Sequence, residues 1–288
     1  MASRVVICGK GTVLGNALSA YLKDKGYELT MLSADDLTRT PAPMLAKRID
    51  GCYAVCNTVG ANFVAKWSDR YVHDIYCSRM LSIRAVIEAL RYCKDKPQVV
   101  LQLSNAMIYD PYEVHDDFSV QYGETFTSEV AQMETKEIMK LRKRLPQVRL
   151  VLVRCGYIMS KSHGLFSLLK RLFRRKISGY VGDGYQCIPM IHIDDAVKAC
   201  EMFINNDNAN GIFNLTIPEM ASLRELSEAF SSRDKSLHFP FMDIFVRILT
   251  GRAIALLEQN CKVEPKRLQN MGFEFEYPNV DAIVRSLY

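Results

Sequence analysis

The sequence has no apolar run of the ~18 residues that a membrane helix needs. It has no C-x-x-C pair and no cysteine–histidine cluster at zinc-site spacing. Internal repeats and low-complexity linkers are also missing. These absences exclude a transmembrane helix, a thiol-redox motif, a zinc module and a solenoid. The nine cysteines (Cys8, Cys52, Cys56, Cys77, Cys93, Cys155, Cys187, Cys200 and Cys261) are scattered, several within strand-like apolar runs. They read as reduced thiols buried like small hydrophobes. Met1-Ala2-Ser3-Arg4 passes straight into a strand pattern, so no signal peptide and a cytoplasmic location are expected.

Hydrophobic residues make up 49% and charged residues 24% of the 288 positions, an ordinary globular balance. The net charge of +5 is mild. One basic run, Lys170-Arg171-Leu172-Phe173-Arg174-Arg175-Lys176, follows apolar residues at helical spacing. It reads as the solvated face of an amphipathic helix, or as a surface toward an anionic substrate. No aromatics interleave with it, which argues against nucleic acid.

The most informative stretch is Val5-Val6-Ile7-Cys8-Gly9-Lys10-Gly11-Thr12-Val13-Leu14-Gly15. An apolar strand ends in glycines and opens at once into a helical pattern, the form of a dinucleotide-binding turn. Gly9 makes the turn, Gly11 lets backbone N–H groups approach a pyrophosphate, and Gly15 lets the helix pack on the strand. Strands are expected at 4–8, 27–32, 53–59, 99–103, 148–155 and 188–193. Helices are expected at 13–25, 42–49, 67–93 (one long or two in series), 124–144, from Asp194 or Asp195 to 204, from Ser222 to 230, and 239–258. Uninterrupted Val/Leu/Ile strands separated by helices indicate a doubly wound, Rossmann-like parallel sheet covered on both faces. The expected division is a dinucleotide-binding domain at 1–155, with a contribution from 188–216, and a smaller, mainly helical substrate lobe at 156–288.

Several segments together resemble the extended short-chain dehydrogenase/reductases, in the atypical epimerase-like branch with its own C-terminal helical domain. Asn57-Thr58-Val59-Gly60 is similar to that branch's N-L-A-G. Trp67-Ser68 and Ser78-Arg79 resemble its R-W-T and S-R-I-N, and Ser104-Asn105-Ala106-Met107-Ile108-Tyr109 resembles S-A-V-G-Y-Y. Arg154-Cys155-Gly156, Gly182-Asp183-Gly184-Tyr185-Gln186, Ile191-His192-Ile193-Asp194-Asp195 and Gly272-Phe273-Glu274-Phe275 follow in the family's order. The resemblance implies NADP, or else NAD, and a small carbonyl or sugar-type substrate. It places Gly9, Gly11, Thr12, Val13 and Leu14 along the pyrophosphate and adenosine, Gly60 under the cofactor, and Ser104 at the nicotinamide.

The chain departs from the family in three places. Thr12 stands where the glycine motif expects a bare backbone. The segment after the second strand is Leu32-Ser33-Ala34-Asp35-Asp36, without the usual Arg. Ser33, Asp35 or Asp36 would then meet the ribose, or Lys10 or Arg39 a 2′-phosphate. The Tyr-x-x-x-Lys acid/base pair is missing from the start of the helix at 126. Tyr109 and Tyr157 (the latter with Lys161 four residues on) are the candidate proton donors beside Ser104, and Glu129 is a weaker one. His192 reads as structural, and Arg154 as a substrate anchor or a brace. The missing pair leaves two alternatives: a non-catalytic dinucleotide-binding protein, or a fold that has lost the cofactor as well. A homodimer would use the helices at 67–93 and 124–144.

Overall fold

A computed structural model describes residues 3–65, 67–161, 165–166, 169–170, 177–234, 237–238 and 255–288. The basic run from Arg171 to Lys176 and most of the helix expected at 239–258 lie outside the described residues.

Strand β1 (Arg4–Cys8) leads into α1 (Val13–Asp24), and β2 (Glu28–Leu32) into α2 (Ala34–Arg39) and α3 (Ala42–Ile49). Next come β3 (Ala54–Asn57), α4 (Asp69–Tyr92), β4 (Val99–Asn105), the short β5 (Val114–His115), α5 (Phe126–Arg144) and β6 (Arg149–Cys155). Short strands β7 (Tyr157–Met159), β8 (Ile177–Ser178) and β9 (Met190–His192) precede α6 (Ile193–Asn205) and β10 (Gly211–Leu215). The chain continues through α7 (Leu223–Asp234), β11 (Leu237–His238), α8 (Ala255–Glu258), β12 (Lys262–Val263), α9 (Lys266–Asn270) and α10 (Val280–Leu287).

Six strands form one parallel sheet in the order β10-β6-β4-β3-β1-β2. Successive strand residues point to opposite faces, and both faces are dry. Val5 and Ile7 pack with Leu14, Leu18 and Leu22 of α1 and Phe203 of α6. Val6 and Cys8 pack on the other side with Ile83, Val86 and Leu90 of α4 and Ile138 of α5. Each such fully buried side chain contributes about 1.5–3 kcal/mol. The first cluster continues into Ile283, Val284 and Leu287 of α10, so the C-terminal segment shares the core of the sheet. All nine cysteines are free and seven are buried. No helix among the described residues is long and apolar enough to cross a membrane.

Four local features differ from or sharpen the sequence reading. The segment from Ser33 is a helix rather than a loop, because Ser33 and Asp36 cap it reciprocally. The stretch at 67–93 is one helix, capped by Ser68. Strand β10, not expected as an element, forms the sheet edge against β6. Helix α6 is capped by His192, whose Nδ1 accepts from the Asp194 N–H, and not by an aspartate. Asp195 instead accepts the N–H groups of Glu276 and Tyr277, and so ties the C-terminal segment to the sheet.

Gly15 packs α1 onto the end of β1. A Cβ there would lie 2.3 Å from the Gly9 carbonyl oxygen, a backbone atom with no room to yield. Gly15→Ala is expected to destabilise the fold by about 1–3 kcal/mol, read as a lowered urea midpoint at unchanged m-value. An unchanged midpoint would refute this account of the junction.

Candidate active site

The chain leaves β1, forms β2 on one side, and returns to place β3 on the other. The crevice at the carboxyl ends of β1 and β3 is therefore the topological switch point, where open α/β sheets bind their ligands. The turn is held from behind, with Gly9 and Lys10 N–H groups donating to Leu32 O at 2.8 and 3.0 Å. Gly9 and Gly11 have φ of 149° and 93°, values that side-chain-bearing residues rarely adopt.

Thr12 is the N-cap of α1. Its hydroxyl donates to Gly9 O at 2.9 Å, accepts from Gly15 N–H at 3.0 Å, and lies 3.0 Å from Thr58 Oγ1. The threonine that replaces a glycine therefore turns into the junction and leaves the approach above it open. A Cβ on Gly11 would meet nothing within 4 Å. Val13 and Leu14 line the same opening, and the first N–H groups of a helix have no acceptor inside it. Open space over a glycine at a helix N-terminus fits a dinucleotide's pyrophosphate.

Beyond the turn lies a cleft of about 690 Å³. Its walls include Val59, Phe63, Leu103, Gly156, Tyr157 and Ile158, and it holds one charged cluster. Ser104, at the end of β4, donates to Glu134 Oε2 at 2.7 Å. Arg79 of α4 places its Nε 3.3 Å from Glu134 Oε1. Its Nη1 donates to Ala61 O and Ile75 O, each at 3.0 Å, and the guanidinium lies 4.1 Å from the Phe63 ring centre. Gly60 makes this packing feasible, since a Cβ there would sit 2.9 Å from Arg79 Cζ. Burial pushes the Glu134 pKa above the usual carboxylate range against the pull of Arg79, and burial also lowers that of Arg79.

The structure brings Gly11, Thr12, Val13, Leu14, Gly60, Ser104 and Tyr157 to this cleft, and Gly9 to the turn beneath it. Tyr109 is placed elsewhere. It is fully buried, accepting from Arg154 Nη1 at 2.7 Å and donating to Asn214 Oδ1 at 2.8 Å, and burial pushes its pKa up to about 12. Arg154 lies between the rings of Tyr109 and Tyr122, its Cζ 5.0 and 5.2 Å from their centres, which makes it a brace. Tyr157 does line the cleft. Tyr157 opens a three-residue strand, and Lys161 lies beyond the end of that strand and lines a separate cavity, so the two do not form the helical pair that their spacing suggests. Burial raises the Tyr157 pKa. Glu129 is exposed on the first turn of α5, away from the cleft. His192 stacks on Tyr277 at 3.8 Å and pairs with Ser286.

At the end of β2, Ser33 and Asp36 are committed to their capping box, and Arg48 donates to Asp36 at 2.6 Å. Asp35 and Arg39 form an exposed pair at 3.6 Å, and Lys10 is exposed on the turn.

Reading the sequence for motifs missed Arg79 and Glu134 as site residues. One signal was present for Glu134. Ala131, Glu134, Ile138 and Leu141 share the inward stripe of α5, so a carboxylate stands at an apolar position.

A doubly wound parallel sheet with a glycine turn at its switch point and a buried acid beside it defines a dinucleotide-binding α/β protein. Residues 5–216 match the NAD dependent epimerase/dehydratase family, and residues 243–287 match a domain of unknown function, DUF1731. The chain belongs to that epimerase/dehydratase family. An epimerase family protein of Staphylococcus saprophyticus is 25% identical over 294 residues, covering 98% of each chain. One of Staphylococcus epidermidis is 27% identical over 295 residues, covering 96% of each. The crystal structure of the human epimerase family protein SDR39U1 with NADPH is similar, with TM-score 0.86, 22% identity and coverage of 99% of this chain and 98% of that one. The nucleoside-diphosphate sugar epimerase of Corynebacterium glutamicum has TM-score 0.79 at 21% identity, covering all of this chain and 58% of that one.

Arg79 is the charged partner of a carboxylate that is 1% exposed. Arg79→Met is expected to cost about 3–5 kcal/mol, because it strands that charge. The double variant Arg79→Met/Glu134→Gln should recover much of the loss in thermal denaturation. Equal loss in both would show that the pair is not what the site depends on.

Proposed function

We propose that the chain is an NAD(P)-dependent oxidoreductase or epimerase that acts at a hydroxyl- or carbonyl-bearing carbon of a small or sugar-type substrate. The observation that carries this reading is the joining, in one cleft, of an open glycine turn and a hydroxyl bonded to a buried carboxylate. Gly9, Gly11, Thr12, Val13, Leu14 and Gly60 would hold the dinucleotide. A bound nicotinamide supplies the acceptor or donor of hydride. The chain supplies the rest: Ser104 orients the substrate oxygen, and the apolar walls formed by Val59, Phe63, Leu103 and Ile158 exclude water.

For the adenosine end we propose a preference for NADP(H). Arg48 already neutralises Asp36, and Lys10 and Arg39 are the exposed cations near the end of β2. A 2′-phosphate would compete with Asp35 for Arg39.

Calorimetric titration with NADPH, NADH, NADP and NAD tests both statements. NADPH is expected to bind at least about tenfold tighter than NADH, a difference of about 1.4 kcal/mol, and Arg39→Ala should narrow the gap. A preference for NADH would assign the ribose to Asp35, and no dinucleotide binding at all would overturn the reading. NADPH oxidation is then followed with a panel of aldehydes and aromatic vicinal diketones, and interconversion of uridine-diphosphate hexoses is followed by product analysis. Binding without turnover of any of them would favour a non-catalytic dinucleotide-binding protein.

A further inference from the structure

The family's tyrosine–lysine pair is absent from α5, yet the cleft is not without acid/base chemistry. We propose that Ser104 and Glu134 form a two-residue proton relay, with Ser104 Oγ exchanging the proton with substrate, Glu134 storing it, and Arg79 positioning the carboxylate. This rests on the functional reading above.

The geometry has three parts. Ser104 lines the cleft and is 8% exposed, so its hydroxyl can meet a substrate oxygen while remaining shielded from bulk water. Its proton already points to Glu134 Oε2 at 2.7 Å, the short distance of a charge-assisted bond. Glu134 Oε1 faces Arg79, the charged side chain among the described residues that acts on it. Arg79 is itself fixed by two backbone carbonyls and the Phe63 ring. The carboxylate thus has one oxygen anchored and one free to trade a proton with Ser104.

In oxidation of a substrate alcohol, hydride and proton leave by separate routes. A bound nicotinamide dinucleotide would serve as the oxidant, taking up the substrate's C–H hydrogen with its electron pair as hydride. The substrate O–H proton passes to Ser104 Oγ as the Ser104 proton passes to Glu134 Oε2, and the substrate carbon becomes a carbonyl. Glu134 then releases that proton to solvent; reduction runs the same transfers backwards from protonated Glu134, which afterwards takes a proton back from solvent. Burial fits the carboxylate for both directions, because it raises the proton affinity of Glu134 while Arg79 keeps the ionised form accessible.

A purely structural role for the cluster makes a different prediction. If Glu134 served only to hold Arg79 and the segment from Gly60 to Phe63, Glu134→Gln would lower stability by leaving the Arg79 charge unpaired, but would change kcat of the folded protein little. The test uses the full chain and the carbonyl compound of the panel that wild type reduces fastest with NADPH. Glu134→Gln, Ser104→Ala and the double variant are each measured for NADPH affinity by calorimetry and for kcat and KM. The relay expects NADPH affinity within about twofold of wild type and kcat lower by on the order of 10²–10⁴-fold in each single variant. The double variant should be no worse than the poorer single one, as for residues that act as a unit. Ser104→Ala leaves the Arg79–Glu134 pair intact, so the relay is still tested if Glu134→Gln does not fold. Near wild-type kcat in either single variant, or multiplicative losses in the double, would overturn the relay while leaving the functional reading standing. A wild type that binds no dinucleotide, or turns over none of the panel, would overturn both.

Discussion

The contact on which this structure turns is the approach of α1 to the carboxyl end of β1. Gly15 sits so near the Gly9 carbonyl that no side chain fits between them. The Thr12 and Thr58 hydroxyls fill the remaining space and bond to each other, to Gly9 O and to Gly15 N–H. Three elements are thereby locked at the point where the strand order reverses. The helix N-terminus is aimed at the crevice, the Gly11 backbone is bare above it, and Thr58 carries the lock across to β3. Much of what can bind here follows from that close packing.

The same junction explains how the chain tolerates an irregular glycine motif. What a dinucleotide turn needs is clearance for a pyrophosphate and a free helix start. Thr12 supplies the cap that the helix needs and spends its side chain inward, so the displaced glycine still provides the opening. The departure in sequence is compensated locally, by a hydroxyl with three partners.

The polar groups of the cleft come from the opposite wall. Strands β4 and β6 are neighbours in the sheet and pair Ser104 with Arg154, yet the two residues serve different ends. Arg154 is wedged between Tyr109 and Tyr122 and braces the segment beyond β4. Ser104 reaches the cleft and meets a carboxylate from α5 and, through it, a guanidinium from α4. Burying that ion pair is costly unless its hydrogen bonds are met. Here they are met by a serine hydroxyl and two backbone carbonyls. The C-terminal segment helps to close the site: Leu256 packs with Trp67 and Tyr157, and Gln259 accepts from Thr127 at the start of α5.

Most of the scaffold was legible in the chain itself. Apolar runs of four to seven residues separated by helical periodicity determine a parallel sheet with both faces covered, because only buried strands dispense with polar alternation. The glycine turn determines the switch point, and the Ser222–Glu225 capping box is recognisable from spacing alone. The capping of α2 by Ser33 and Asp36 and the small edge strand β10 were harder, since each rests on a short segment whose preference is settled by its neighbours. Which polar residues would meet was not legible. Tyr109, which closes the 3₁₀ turn Ala106–Ile108, follows Ser104 closely in sequence but faces away from the cleft. Tyr157 and Lys161 have helical spacing, but Tyr157 lies on a three-residue strand and Lys161 beyond its end. Ser104, Arg79 and Glu134 are 25 to 55 residues apart along the chain. They meet because β4, α4 and α5 pack against one another, and direction and burial, which make these three a site, exist only once the helices have closed on the sheet.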